Sequence, residues 1–109
     1  MSFLIETFFN KENIIIEINS LNIENHEREK LLKMTDELAE HRFLNAVLDN
    51  LKEQDKEIFL DYLNGGTPEI VAEFLHRRIE GVEEILKEHG KALEYEILED
   101  IRSIKGGIT

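Results

Sequence analysis

Hydrophobic side chains recur at helical spacing along most of the chain. From residue 81 to residue 104 they fill roughly half of a helix circumference at 100° per residue, with Lys and Glu on most of the opposite side. Residues 68–79 show the same one-sided pattern over a shorter length. Both stretches therefore predict amphipathic helices. Their apolar positions are Ile70, Val71, Phe74, Leu75 and Ile79, followed by Val82, Ile85, Leu86, Ala92, Leu93, Ile97, Ile101 and Ile104.

The stretch from residue 25 to residue 51 predicts the longest helix. It is rich in good helix formers and contains neither Gly nor Pro. Its apolar stripe drifts along the helix, so we expect its two halves to meet different neighbours. A short helix of about ten residues follows. The drifting stripe runs from Leu31, Met34 and Leu38 to Phe43, Leu44, Val47, Leu48 and Leu51, and the short helix carries Ile58, Phe59, Tyr62 and Leu63.

Glycine and proline mark the predicted boundaries. Gly65-Gly66-Thr67-Pro68 predicts a turn between two helices, because glycine can end a helix in the left-handed conformation, Thr67 can cap the next helix and Pro68 suits its first position. Gly81 either separates two helices or kinks one. Gly106-Gly107 is expected to stop the last helix after Lys105.

The N-terminal third allows two interpretations. Ile14, Ile16 and Ile18 alternate with other residues, as in a β-strand, but a strand would have to pair with another copy of the protein because no second strand is predicted. We favour two short helices, residues 2–9 and 11–20. The expected fold is all-α, a four- to five-helix bundle in one domain, residues 1–109, with one long central helix and a long C-terminal helix.

Composition narrows the functional classes. The chain has 109 residues, 41% of them hydrophobic, a formal net charge of −11 and no cysteine. Such acidity argues against binding nucleic acid or an anionic membrane, which requires clustered Lys and Arg. The absence of cysteine excludes disulfides, thiolate zinc sites and thiol catalysis. The apolar start has no basic region and is interrupted at Glu6, so we expect no signal peptide or transmembrane helix, and a cytoplasmic location by default.

A set of short motifs follows the predicted helices: Leu21-Asn22-Ile23, Leu31-Leu32, Glu40-His41-Arg42, Leu51-Lys52-Glu53-Gln54 leading to Phe59, Phe74-Leu75 and Ile79-Glu80-Gly81. Their order, over about residues 12–100, resembles an uncharacterised family of short acidic all-helical bacterial proteins, a domain of unknown function. The chain differs at Asn22, where the family pattern has glycine, and at Lys52, where it has a small hydroxylated residue. The resemblance implies an all-helical fold with a helix break near Lys52. It supplies no catalytic residue.

The histidines and carboxylates do not predict a catalytic or metal site. Glu73 and His76 have the Glu-x-x-His spacing of a di-iron bundle, but they fall on the polar side of their helix and the pattern does not recur. His89 lies within an apolar stripe, which is typical of a histidine at a helix interface. His26 and His41 fit partly exposed positions. We therefore predict no catalytic residue, no metal ligand and no cofactor.

The N-terminal aromatic segment is the candidate contact surface. Five apolar residues fall within nine positions at a chain terminus, where order must come from docking. The segment either folds back over the bundle or covers a protein partner or second subunit. We expect a non-enzymatic protein-interaction module, with an acidic, antitoxin-like inhibitor of a basic protein and a Glu/His metal-binding bundle as alternatives. The candidate contact residues are Phe3, Leu4, Ile5, Phe8 and Phe9.

Overall fold

The computed structural model describes residues 2–108, with side chains described for residues 3–105. Every regular element in that part of the chain is an α-helix, which confirms the all-α class. The predicted count of four to five is wrong, because both N-terminal segments are helices and bring the described total to six. The helices are α1 (Ser2–Phe8), α2 (Glu12–Asn19), α3 (Asn25–Asp49), α4 (Glu53–Gly65), α5 (Pro68–Arg78) and α6 (Val82–Ile108).

α2 is a helix because its buried side chains repeat every four residues. Ile14 and Ile18 share one face and are almost completely buried, whereas Ile15 and Ile16 point away and are exposed. A strand would have placed Ile14, Ile16 and Ile18 on the same side, yet Ile16 is 59% exposed. The strand interpretation is therefore wrong, and the preferred helix is confirmed.

The long helices α3 and α6 run antiparallel and form the frame of the bundle. Arg42, in the second half of α3, contacts His89 in the first half of α6. Leu31, near the start of α3, lies beside Ile104 near the end of α6. α3 buries Thr35, Ala39 and Ala46 among its larger core residues. Small side chains such as these let neighbouring helices approach closely.

α2 lies across one face of the α3–α6 pair. Its buried Ile14 and Ile18 point toward the pair, and polar contacts join its edges to both long helices. Lys11, which precedes the first residue of α2, donates from Nζ to Oδ1 of Asp36 on α3 at 2.8 Å. Asn13 donates from Nδ2 to Oε2 of Glu94 on α6 at 3.3 Å. One face of the pair is therefore covered along α2.

α1 covers the same face further along and crosses α6 at Gly90. A Cβ atom at Gly90 would overlap the carbonyl oxygen of Phe8 and lie 3.6 Å from Cζ of Phe43. The ring of Phe9 packs edge to face against Phe43, with centroids 6.5 Å apart. Gly90 is needed here because the backbone of α1 occupies the space of a side chain.

The predicted turn between α4 and α5 is confirmed. The Gly66 N–H donates to the carbonyl of Tyr62 at 2.7 Å, which closes the end of α4. Oγ1 of Thr67 accepts from the Ile70 N–H at 3.3 Å, and Pro68 is the first residue of α5. Side-chain capping and a first-turn proline both favour a helix start at this position.

The glycine boundaries follow the expectations only in part. Gly66 has a φ of −97°, so it does not use the left-handed conformation. Gly81 does, with φ +67°, and it separates α5 from α6 instead of kinking one helix. The expected stop at Gly106-Gly107 is wrong, because α6 continues to Ile108. Glycine inside a helix costs only about 1 kcal/mol relative to alanine, which does not force an end. With 27 residues α6 is longer than α3, which has 25 and was expected to be the longest helix.

α4 and α5 form a helical hairpin with its own aromatic contacts. The rings of Tyr62 and Phe74 pack edge to face with centroids 5.5 Å apart. The guanidinium of Arg78 lies 5.6 Å from the centroid of Phe74 and 3.8 Å from Oδ1 of Asp55. Asp55 is buried in the first turn of α4, where a carboxylate is favoured by the helix dipole.

The contact at Gly90 predicts the cost of a single methyl group. Gly90→Ala should lower the free energy of unfolding by about 1–3 kcal/mol, because the added Cβ pushes α1 away from α6 and outweighs the better helix propensity of alanine. Urea unfolding measures the change.

Gly65→Ala is the matched control, since a Cβ there meets nothing within 4 Å. It should raise the free energy of unfolding by at most about 1 kcal/mol, because alanine favours the helix at the last residue of α4. If Gly90→Ala were as stable as the original chain, the close approach of α1 to α6 would be wrong.

Candidate functional site

The N-terminal aromatic segment packs on its own bundle. Leu4, Ile5 and Phe9 are buried in the core, so this part of the segment follows the first of the two alternatives. Phe3 and Phe8 are half-buried and line a cleft of about 150 Å³ beside α5 and α6. A protein contact through the segment stays a prediction, and in this structure only its outer edge is available for one.

A second apolar surface lies on the face of the α3–α6 pair that α1 and α2 do not cover. It forms a groove of about 180 Å³, which we call the α3–α6 groove. Three large apolar side chains stand beside it in solvent: Met34 is 46% exposed, Leu38 is 51% exposed and Ile104 is 45% exposed. The residues that line it are Ile18, Leu31, Met34, Thr35, Leu38, Ile97, Asp100, Ile101 and Ile104.

The floor of the α3–α6 groove is apolar and well packed. Ile97 and Ile101 of α6 are buried beneath it, together with Ile18 of α2. Thr35 is buried too, and its hydroxyl donates to the carbonyl of Leu31 at 2.9 Å within α3. Its donor is thus satisfied inside the helix. The groove therefore offers hydrocarbon contact with little hydrogen-bonding chemistry.

The drift of the apolar stripe explains why α3 exposes these side chains. In its second half, Phe43 and Val47 are buried in the core. In its first half, Thr35 and Ala39 occupy the buried positions, and the larger Met34 and Leu38 precede each of them by one residue. One residue is a rotation of about 100° on a helix, which carries Met34 and Leu38 out of the core.

A polar network closes the α3–α6 contact near its middle. Arg42 donates from Nε to Nδ1 of His89 at 3.0 Å and from Nη1 to Oε2 of Glu96 at 2.8 Å. Arginine has only donors, so Nδ1 of His89 accepts and Nε2 carries the proton of the neutral ring. His89 is an interface histidine, as its place in the apolar stripe predicted.

The other candidate groups remain on the surface. Glu73 forms an ion pair with Arg77 within α5, and Nε2 of His76 lies 3.5 Å from Oε1 of Glu83. Both Glu73 and His76 are exposed, and so is His41.

Exposed acids surround His26 at the start of α3. Its ring, Glu24 and Glu27 can bring one ligand atom each within 4.8 Å of the others. All three are exposed. Acidic side chains are favoured at a helix start by the helix dipole, and we assign them no ion.

A lysine-lined cleft at the junction of α1 and α2 was not predicted from the sequence. Its volume is about 440 Å³, and Lys11, Lys87 and Lys91 lie around it. Lys11 already pairs with Asp36, and Nζ of Lys87 lies 4.0 Å from Oε1 of Glu84. These are surface lysines with acidic neighbours, so the cleft specifies no ligand.

Three comparisons with known proteins return no relative. No protein-family model, no curated protein and no solved structure matches the chain. Within residues 2–108, no helix has both the length and the apolar content to cross a bilayer.

The Arg42–His89 contact predicts an energetic coupling between α3 and α6. In a double-mutant cycle, Arg42→Met and His89→Leu should show a coupling of about 0.5–1.5 kcal/mol in the free energy of unfolding. Each single change leaves the other half-buried side chain without this hydrogen-bond partner. Urea unfolding of the four proteins supplies the cycle.

The exposed pair Glu73–Arg77 provides the control. Glu73→Gln and Arg77→Met should couple by less than about 0.5 kcal/mol, because solvent screens an exposed pair on one helix. Equal coupling in both cycles would contradict the assignment of His89 to the helix interface.

Proposed function

We propose that the chain is a non-enzymatic protein-interaction module that binds through the α3–α6 groove. The observation that carries this proposal is the cluster of Met34, Leu38 and Ile104, three large exposed apolar side chains around one apolar floor. Single exposed apolar residues are normal on a protein surface. A contiguous group beside a groove is typical of a contact site.

The chemistry of the groove favours a protein surface as its occupant. Catalysis in a pocket needs titratable groups that converge on a reacting atom. Asp100 is the charged residue among those lining this groove. The hydroxyl of Thr35 already donates to a carbonyl within α3. The aliphatic side chains instead suit the apolar face of another helix.

An acidic inhibitor of a basic protein is the alternative suggested by the net charge of −11. Association driven by charge slows steeply as salt increases, because ions screen the steering field. Binding through the groove depends on apolar burial, so its association rate should change little between low and high salt. Stopped-flow measurements with an isolated partner distinguish the two mechanisms.

Site-specific photocrosslinking tests the proposed surface. The chain carrying p-benzoylphenylalanine in place of Leu38 should give a discrete crosslinked protein adduct when irradiated in its native cells, because this side chain would lie inside the interface. The same photoreactive residue in place of Ile16, which is exposed on the opposite layer, is the matched control. Gel electrophoresis and mass spectrometry detect and identify the adduct. No adduct from position 38, or the same adducts from both positions, would contradict the proposal.

A further inference from the structure

The outer edge of α3 beside the groove carries two opposite charges two helical turns apart. Lys30 and Glu37 are seven residues apart, which returns to almost the same side of a helix. Both are exposed, and they flank Met34 on the side away from Arg42, which faces α6. Among the described residues, neither has an ion-pair partner within 4 Å. Lys30 and Glu37 are therefore an exposed pair of opposite charges on this edge, with Glu27 one turn before Lys30 at the start of the helix.

Such a pattern is complementary to itself in an antiparallel arrangement. If a two-fold axis passes beside Met34, Lys30 of one chain lies opposite Glu37 of the second copy, and the reverse pair forms at the same time. Two-fold interfaces require this reciprocity, because one patch must fit its own copy. The same axis brings Met34 and Leu38 of both chains together over the two grooves.

The chain exposes more surface than a compact monomer of its mass. Its accessible surface is 7311 Å², whereas a compact monomer of 12.8 kDa exposes about 6,300 Å². The radius of gyration is 16.0 Å, against about 13 Å for a compact domain of this length. This excess follows from the elongated shape of the chain, with extents of 50 × 24 × 20 Å, which leaves the long α3–α6 face open.

We propose that the occupant of the α3–α6 groove is a second copy of this chain, bound with α3 antiparallel to α3 across a two-fold axis. The inference rests on the proposed function and identifies the binding partner as a second copy of the chain. The resulting core is a four-helix arrangement of two α3–α6 pairs. The net charge of −11 repels a second copy at long range, but physiological salt screens charges beyond about 8 Å. The Lys30–Glu37 pairs act within that distance.

Charge reversal tests the antiparallel pairing. Sedimentation equilibrium of the unaltered chain should show a concentration-dependent dimer. Lys30→Glu and Glu37→Lys should each raise the dimer dissociation constant about tenfold to hundredfold, since both reciprocal pairs become repulsive. An equimolar mixture of the two variants should recover a dissociation constant within about threefold of the original, because a mixed dimer restores two opposite-charge pairs.

Lys91→Glu and Glu29→Lys are matched charge changes outside the groove and should leave the dissociation constant within about threefold. All substituted positions are exposed, and circular dichroism checks that each variant is helical. If the unaltered chain is monomeric at every concentration while position 38 crosslinks to a different polypeptide, the dimer is wrong and the proposed function stands. If position 38 yields no adduct and the chain is monomeric, both are wrong. A dimer insensitive to both reversals would overturn the antiparallel pairing.

Discussion

Close packing of α3 against α6 organises the fold of the described residues. The buried side of α3 is narrow because it carries the small residues Thr35, Ala39 and Ala46. Gly90 allows the backbone of α1 to approach α6 closely. The antiparallel pair has two faces. α1 and α2 cover one of them, and the α3–α6 groove remains on the other. The candidate site is thus a consequence of how the two long helices pack.

Much of the fold is predictable from local chemistry. The spacing of Ile14 and Ile18, the cap at Thr67 and the proline after it identify α2 and α5, because each acts on neighbouring residues of one helix. The long helices follow from continuous runs of good helix formers. Both short N-terminal helices were favoured from the sequence, although the stated total of four to five was one too low. Their existence depends on packing against the rest of the chain more than on their own propensity.

The candidate site could not be located from the sequence because it depends on rotation of a long helix. Met34 and Leu38 belong to the same apolar series as Leu31 and Phe43, and periodicity alone does not show which members are buried. Small residues at positions 35 and 39 were the available signal, since helices approach where side chains are small. The N-terminal aromatics were the predicted contact surface because they are large and clustered. Most of that cluster is used inside the bundle.

In the proposed dimer, the open face of the α3–α6 pair becomes covered when two chains meet. Met34 is one of only two methionines in the chain, so its methyl group gives an identifiable signal in NMR spectra of methyl-labelled protein. The direct measurement is the broadening of that signal by a soluble paramagnetic probe as protein concentration is raised. If the dimer forms, the Met34 signal is broadened strongly in dilute solution, where Met34 is exposed, and is protected at high concentration. Equal broadening at all concentrations would contradict the dimer.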